Sequence, residues 1–191
     1  MPSDKLKIQI IISSTRENRF GITVGEWVQG LARQRDDMET ELIDLRDFPL
    51  PFFDEARSPS SGHYADEALP WAEKIDQGDG YLIVAAEYNH GYTAVLKNAM
   101  DHLYKEWNNK PVGFVSYGGP AGGARSVEQL RLIAVTLQMA PIQEAVVMPM
   151  ARNAFNDDGQ PKDPVLNDRV HAVLDQLAWW ATALKNARAA G

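Results

Sequence analysis

The segment Lys7–Ser13, with the sequence KIQIIIS, decides the fold of this 191-residue chain. It is almost continuously apolar and rich in β-branched residues, which is typical of a strand buried on both faces of a sheet. Tyr81–Ala86 (YLIVAA) and Pro111–Tyr117 (PVGFVSY) have the same character, and apolar residues at helical spacing follow each of the three segments. Strands that alternate with helices in this way predict a parallel sheet covered by helices on both faces.

Two shorter segments, Thr40–Leu45 and Ala145–Met148, complete a set of five predicted strands. Because crossovers between parallel strands are right-handed, few topologies remain for five strand–helix units. We predict an α/β fold of the flavodoxin-like kind, a three-layer sandwich whose five-stranded parallel sheet has the order 2-1-3-4-5. The length of the chain favours a single domain over residues 1–191.

The helices are predicted from apolar residues that recur every three or four positions. They lie within Phe20–Leu31, Asp66–Gln77, Tyr92–Leu103, Val127–Leu137 and Leu166–Leu184. Asp163 and Pro164 precede the last helix as an N-cap and a first-turn proline. Asp47–Pro59 is predicted to be a loop because it contains three prolines, and Ala187–Gly191 to be frayed helix or disorder.

The composition excludes several classes of function. A net charge of −7 argues against a large non-specific surface for nucleic acid. The absence of cysteine excludes disulfides, thiolate nucleophiles and cysteine-ligated metals, and no spacing of His, Asp and Glu suggests a metal site. Redox chemistry in this chain would therefore need a bound cofactor. No apolar run approaches the length of a membrane span, so we expect a soluble, cytoplasmic protein without membrane or nucleic-acid partners.

The loop after the first strand, Ser13-Ser14-Thr15-Arg16-Glu17-Asn18-Arg19-Phe20-Gly21, is suited to a phosphate. It offers hydroxyl groups, two guanidinium groups and the free amides of the helix that follows. A solvated loop with ordinary helix caps explains the same residues equally well. The loop matches neither the Walker pattern nor the G-x-G-x-x-G pattern.

The loops after the third and fourth strands complete a candidate site. Ala86-Glu87-Tyr88-Asn89-His90-Gly91 is rich in amide and aromatic groups, which suit a flat heterocycle, and Ser116-Tyr117-Gly118-Gly119 opens a glycine-rich loop. Because the carboxyl ends of parallel strands meet at one edge of the sheet, we expect the three loops to converge there. Together they predict a site for a phosphorylated ring cofactor.

In these motifs the chain resembles the NADPH-dependent FMN reductases and their azo- and quinone-reductase relatives, which are flavodoxin-like flavoproteins. Typical members carry G-S-x-R after the first strand, P-E-Y-N after the third and a glycine-rich loop after the fourth. The resemblance covers nearly the whole chain in the right order. Ser13 stands where the family often has glycine, and Ala86 where it usually has proline. Arg19 and Gly21 lie where many relatives have serine and asparagine, so we expect a variant phosphate cradle.

The resemblance implies roles for specific residues, all of them in binding, since the chemistry would belong to the flavin. Residues of the first loop would hold the FMN phosphate, residues of the second would line the isoalloxazine and ribityl chain, and residues of the third would touch the pyrimidine edge. These are Ser14, Thr15, Arg16, Arg19, Phe20 and Gly21; Glu87, Tyr88, Asn89 and His90; and Ser116, Tyr117, Gly118 and Gly119. His90 is either a general acid or, as we favour, a polar wall or capping group.

The implied function is that of an FMN-dependent NAD(P)H oxidoreductase. Hydride would pass from NADPH, or NADH, to FMN and then to a flavin, quinone or azo acceptor by ping-pong kinetics. A flavodoxin-like electron carrier that binds FMN without oxidising NADPH itself is the alternative, although the chain lacks the T-x-T-G-x-T phosphate loop of true flavodoxins. A third alternative is a nucleotide-binding protein without redox activity.

The resemblance also implies a homodimer or homotetramer that assembles through the helices near the flavin. Tyr92–Leu103 and Tyr104–Trp107 are the candidate surfaces. Trp107 could cover the flavin of a neighbouring subunit or pack in the core, and His102 is expected to pack or cap. Trp179 and Trp180 are expected to anchor the core or an interface.

Overall fold

Five parallel strands form the central sheet of the computed structural model, which describes residues 5–190. The strands are β1 (Leu6–Ile12), β2 (Met38–Asp44), β3 (Gly80–Ala86), β4 (Pro111–Tyr117) and β5 (Ala140–Met148). Their order in the sheet is β2-β1-β3-β4-β5. The predicted flavodoxin-like α/β sandwich and its strand order are therefore confirmed.

Helices cover both faces of the sheet. They are α1 (Gly21–Ala32), α2 (Leu69–Asp76), α3 (Ala94–Asp101), α4 (Ala124–Thr136), α5 (Ala151–Ala154) and α6 (Val165–Ala190). Buried residues of α1 and α6 share one apolar core with the sheet, and those of α2, α3 and α4 share a second core on the opposite face. The Asp163 carboxylate accepts a hydrogen bond from the Val165 amide, so the predicted cap of α6 is confirmed.

The register of the strands brings their carboxyl ends together. Ile12 pairs with Val84 near the end of β3, and Ala86 pairs with Tyr117 at the end of β4. Tyr117 in turn pairs with Met148, the last residue of β5. The loops after β1, β3, β4 and β5 therefore leave the sheet at one edge. β3 and β4 are buried along their whole length, which explains their continuous apolar sequences.

The bounds of most elements differ from the sequence prediction by a few residues, and the differences in β2, β5 and α6 have a clear physical reason. β2 begins at Met38, before Thr40, and β5 begins at Ala140, before Ala145. These added residues belong to the two edge strands, which are partly exposed and therefore lack a continuous apolar signal. α6 remains helical to Ala190, against the prediction of frayed helix or disorder from residue 187, while Gly191 lies outside the described residues.

Contacts with the loop before β3 explain why α6 continues so far. Lys185 Nζ lies 2.7 Å from a carboxylate oxygen of Asp79, and Arg188 Nη2 lies 3.2 Å from the other. Arg188 also donates to the carbonyl oxygen of Asn109 at 2.7 Å. The last turns of α6 are thereby attached to the amino edge of the sheet.

The burial of several aromatic side chains settles alternatives that the sequence leaves open. Trp107 is buried against Trp71 and Tyr81, so it packs in the core. His102 is buried as well, and its Nε2 lies 2.9 Å from the carbonyl oxygen of Pro51. Trp179 is 66% exposed and Trp180 is 36% exposed, so neither anchors the core, and an interface stays the predicted role of the pair.

Within residues 5–190, no helix is both long enough and apolar enough to cross a membrane.

Candidate functional site

A cavity of about 370 Å³ lies at the carboxyl edge of the sheet, a volume in the range of small-molecule sites. Loops after four strands enclose it. The loop after β1 contributes Arg16, Asn18, Arg19 and Phe20, and the loop after β3 contributes Glu87 and Tyr88. The remaining wall consists of Tyr117, Gly118 and Gly119 after β4 and of Met150, Ala151, Arg152 and Asn153 after β5.

The cavity brings together residues from all three predicted loops but not every predicted residue. Ser14 and Ser116 are fully buried behind the wall, and Gly21 is buried at the start of α1. Thr15 lines a separate, largely apolar cavity of about 420 Å³ between the loop after β2 and α3. The side chains of Asn89 and His90 lie outside the cavity wall, on an exposed turn.

Ser13 ties the first loop to the rest of the edge. Its hydroxyl accepts a hydrogen bond of 2.9 Å from the amide of Ala86, and its carbonyl oxygen accepts one from the Thr93 hydroxyl. Next to it, the Ser14 hydroxyl lies 2.6 Å from the hydroxyl of Tyr88. The two serines therefore fix the loop after β1 against the loop after β3.

The loop after β3 is a tight hairpin turn. Tyr88 and Gly91 exchange backbone hydrogen bonds of 2.9 and 3.2 Å, and the two residues between them, Asn89 and His90, have φ angles of 50° and 74°. Two successive positive φ angles are typical of a type I′ turn, where asparagine is favoured. The turn holds Tyr88 in the cavity wall while the two residues at its tip face outward.

Two charged residues of the cavity wall are neutralised by partners outside it. The largely buried Arg19 side chain forms an ion pair with Asp44 at the end of β2. Glu87, whose side chain is 5% exposed, pairs with Arg125 of α4, and the Arg125 amide also donates to its carboxylate at 3.3 Å. Arg125 Nη1 lies 2.9 Å from His90 Nδ1. Arg125 therefore connects the glycine-rich loop to the turn after β3.

Sequence reasoning missed Arg125, although one signal was available. A carboxylate in a loop predicted to touch a cofactor needs a cationic partner if it is buried. Arg125 directly follows the start of α4, two positions after Gly123. The pairing depends on tertiary structure, since the two partners are separated by 38 positions in the chain.

Two other guanidinium groups of the wall have no ion-pair partner among residues 5–190. Arg16 lies over the ring of Tyr88, with the guanidinium carbon 5.6 Å from the ring centroid. Arg152 lies over the ring of Phe20 at 5.5 Å and donates from Nη2 to the carbonyl oxygen of Asn18 at 2.9 Å. Nothing in the sequence singles out Arg152, because it stands in a polar, turn-rich segment. The cavity thus has an excess of positive charge.

Tyr117 places a polar atom at the first residue of α1. A Cβ atom at Gly21 would lie 2.8 Å from the Tyr117 hydroxyl oxygen, so this close approach requires glycine. The hydroxyl is buried and has no hydrogen-bond partner within the described part of the chain. Burial raises the pKa of this hydroxyl well above its ordinary value, and the nearby Gly21 amide opposes that effect.

The glycine-rich loop offers its backbone to the cavity. The buried Ser116 hydroxyl lies 3.1 Å from the carbonyl oxygens of Gly122 and Val146, so it shapes the loop and does not face the cavity. Gly119 lines the cavity, and a Cβ atom there would meet nothing within 4 Å. An exposed glycine backbone allows the polar edge of a flat ring to approach closely.

These features fit FMN. The unpaired guanidinium groups and the amides at the start of α1 suit a phosphate, and the unpartnered Tyr117 hydroxyl supplies a further polar group at the same end. Phe20 and Tyr88 provide an aromatic wall, and Gly118 and Gly119 provide backbone for a ring. The donor set therefore matches a phosphorylated flat cofactor.

Comparison with known proteins leads to the same family. The chain matches the family described as NADPH-dependent FMN reductase over residues 6–153, a range that contains every residue of the cavity wall. It is 40% identical over 148 residues to an NAD(P)H-dependent FMN reductase of Schizosaccharomyces pombe, covering 75% of this chain and 74% of that protein. It is 35% identical over 154 residues to an NAD(P)H:quinone oxidoreductase of Solanum tuberosum, covering 78% of this chain and 77% of that protein.

A solved structure supports the fold. FerB, a flavoenzyme NAD(P)H:(acceptor) oxidoreductase from Paracoccus denitrificans, superposes with a TM-score of 0.71 at 20% sequence identity. The superposition covers 90% of this chain and 97% of that one. With the match over residues 6–153 and the identity to curated relatives, the chain belongs to the family of NADPH-dependent FMN reductases.

Proposed function

We propose that this protein is an FMN-dependent NAD(P)H oxidoreductase that reduces a flavin, quinone or azo acceptor. The observation that carries the proposal is the cavity at the carboxyl edge, in which Arg16 of the first loop and Arg152 of α5 have no ion-pair partner among residues 5–190 and Gly119 presents bare backbone. Its relatives include FMN reductases and a quinone oxidoreductase. FMN, when bound, accepts hydride from NADPH or NADH and passes the electrons on.

The residues proposed to hold FMN divide by the strand that they follow. Ser14, Thr15, Arg16, Arg19, Phe20 and Gly21 would form the phosphate cradle. Glu87, Tyr88, Asn89 and His90 would border the ring and the ribityl chain, and Ser116, Tyr117, Gly118 and Gly119 would border the pyrimidine edge. Several of these side chains are turned away from the cavity, so their contribution would come from backbone groups and from the hydrogen bonds that fix the loops.

No side chain of the cavity wall is needed as a nucleophile or as a general base. Phe20 and Tyr88 would exclude water from one side of the ring, and Glu87 would act through its pairing with Arg125 to hold the turn in place. A single cavity would receive NADPH and the acceptor in turn, which leads to ping-pong kinetics. Parallel double-reciprocal lines are expected, and lines that intersect when both substrates are varied would contradict a shared site.

A homodimer or homotetramer is part of the proposal. Leu132 and Val135 of α4 are 73% and 63% exposed, and Val95 of α3 is also exposed. α3 and α4 adjoin, since Lys97 and Leu132 border the same groove. The surface formed by these helices, which we call the α3–α4 face, replaces Trp107 as the candidate interface because Trp107 is buried in the core.

We also propose a cytoplasmic location and no partnership with nucleic acid. The net charge of −7 supports the second point, because binding to nucleic acid depends on positive surface charge. Both remain proposals that fractionation and a binding assay can test.

Absorption spectra test the function directly. The purified protein is measured with and without added FMN, and NADPH is then added under anaerobic conditions. Rapid bleaching of bound flavin by NADPH alone is expected. Bleaching only after a partner reductase is added would favour the electron carrier, and a protein that takes up no FMN would contradict both.

A further inference from the structure

Two cations of the cavity wall, Arg16 and Arg152, have no ion-pair partner among residues 5–190, and they lie far apart in the sequence. We propose that Arg152, on α5, binds the phosphate of FMN together with Arg16 of the first loop. This assigns a cofactor-binding role to a segment after β5, outside the three predicted loops. The inference rests on the proposed function, since it requires that the cavity holds FMN.

The position of Arg152 is fixed against the start of α1. Its Nη2 donates to the carbonyl oxygen of Asn18 at 2.9 Å, and its guanidinium carbon lies 5.5 Å from the centroid of the Phe20 ring. Phe20 is the residue immediately before α1, which begins at Gly21. The Nε and Nη1 groups of Arg152 donate to no other residue between 5 and 190, so they remain available to a ligand.

The backbone before α5 is arranged to direct this side chain. Met150 has a left-handed conformation, with a φ of 47°, which is unusual for a residue other than glycine. Its amide donates to the carbonyl oxygen of Gly119 at 3.0 Å. The loop after β5 is thereby attached to the glycine-rich loop, and α5 faces the first loop across the cavity.

A phosphate monoester bound in the cavity needs two positive charges that are not already paired with carboxylates. Such a group carries a charge of about −1.5 to −2 near pH 7. The charge of Arg19 is offset by Asp44, and the charge of Glu87 is offset by Arg125. Arg16 and Arg152 are the remaining charged residues of the wall. Together they match the dianion, whereas Arg16 alone would not.

The Tyr117 hydroxyl is an independent sign of a ligand at this end of the cavity. Tyr117 is 7% exposed, and its hydroxyl lacks a partner within residues 5–190. A buried polar atom without a hydrogen bond costs free energy, which a bound group can recover. Since this hydroxyl lies at Gly21, the first residue of α1, the Tyr117 side chain reaches the phosphate end of the cavity, while the Tyr117 backbone at the end of β4 stays beside the loop proposed to border the pyrimidine edge.

A phosphate monoester could also come from the 2′-phosphate of NADPH. FMN is favoured because Arg152 contacts Asn18 and Phe20, which belong to the same loop after β1 that carries Arg16. The experiment below separates the two sources.

The test compares FMN with riboflavin, which has the same ring and no phosphate. Binding of both to Arg152→Gln, Arg152→Lys and wild-type protein is followed by flavin fluorescence, with Arg169→Gln as the control, since Arg169 is an exposed arginine of α6. We expect Arg152→Gln to weaken FMN binding about tenfold or more and to leave riboflavin binding unchanged. Arg152→Lys should recover part of the affinity. The salt dependence of FMN binding should be shallower in Arg152→Gln than in wild type.

Three results would overturn the inference. An equal loss for FMN and riboflavin would mean that Arg152 only shapes the cavity. Unchanged FMN affinity with a raised KM for NADPH relative to NADH would assign Arg152 to the 2′-phosphate. Wild-type protein that binds no FMN would reject the proposed function itself. Equal FMN affinity of wild type and Arg152→Gln would reject only the role of Arg152. If Arg152→Gln melts at a much lower temperature than wild type, the FMN and riboflavin affinities of Arg152→Lys are compared with those of wild type instead.

Discussion

The Ser13 hydroxyl accepts a hydrogen bond of 2.9 Å from the backbone amide of Ala86, and the bond joins the loop after β1 to the end of β3. These are the two positions at which the chain departs from the typical family motifs, which have glycine and proline there. Glycine has no hydroxyl and proline has no amide hydrogen, so the bond needs both departures. The two substitutions therefore form one structural unit.

The first prediction follows from this pairing. Ser13→Gly should lower the free energy of unfolding by about 1–3 kcal/mol, because it leaves the buried Ala86 amide without an acceptor. Ala86→Pro should also destabilise, since Ser13 then loses its donor. The double variant should be less destabilised than the sum of the two, as measured by urea denaturation. Strict additivity would mean that the bond contributes nothing.

The second prediction concerns Arg16, which lies over the Tyr88 ring and forms no ion pair within residues 5–190. Arg16→Ala should weaken FMN binding about tenfold or more by removing a charge-assisted donor. The melting temperature should stay close to that of wild type, since no structural hydrogen bond of the Arg16 side chain is lost. Fluorescence titration with FMN measures the effect, with Arg169→Ala as the matched control. Unchanged affinity would place the phosphate elsewhere.

The third prediction concerns the buried carboxylate of Glu87. Arg125→Met removes its ion-pair partner and should lower the free energy of unfolding by about 1–3 kcal/mol, a value reduced because Arg125 itself is 37% exposed. The double variant Glu87→Gln, Arg125→Met should recover part of the loss, because no unpaired charge remains buried. Denaturation curves of the three variants measure the coupling. A single Arg125→Met variant as stable as wild type would show that water already solvates Glu87.

The fold could be predicted because its central strands are unambiguous. β3 and β4 are buried on both faces, so every residue of these strands is shielded and the apolar run is continuous. The edge strand β5 is mostly half-buried, with no continuous or alternating apolar pattern, so the sequence predicts only its last residues. For Trp179 and Trp180 the sequence left a core and an interface open, because an apolar pair at the edge of a helix face can serve either, and their exposure removes the core.

The sequence predicts the part of the candidate site that consists of loops directly after strands. The loops after β1, β3 and β4 were selected because parallel strands bring their carboxyl ends together. Arg125 and Arg152 were missed, since each acts through a partner distant in sequence, Glu87 for the first and Asn18 for the second. α5 follows a left-handed residue, Met150, and has no apolar periodicity that would identify it.

The fourth prediction concerns assembly. Leu132→Glu should convert the oligomer to a monomer, because it places a charge on the α3–α4 face where apolar contact is proposed. Multi-angle light scattering measures the mass of the particle in solution. Trp179→Glu is the matched control, since Trp179 is a similarly exposed apolar residue on α6. Dissociation by Trp179→Glu and not by Leu132→Glu would move the interface to α6.

The fifth prediction concerns Lys110, which is buried at the amino edge of the sheet and donates to the carbonyl oxygens of Ile75 and Asp76 at 3.2 and 2.9 Å. Burial lowers its pKa from 10.5 to about 8. Between these pH values the unfolded chain binds more protons than the folded chain, so this group makes the free energy of unfolding rise with pH. The gain is complete above pH 10.5 and is lost as the pH falls from 10.5 to 8. Lys110→Met removes the titration. Wild type should therefore gain stability relative to Lys110→Met between pH 8 and 10.5, by at most about 3 kcal/mol, as measured by urea denaturation. A difference between the two proteins that stays constant across this range would contradict the lowered pKa.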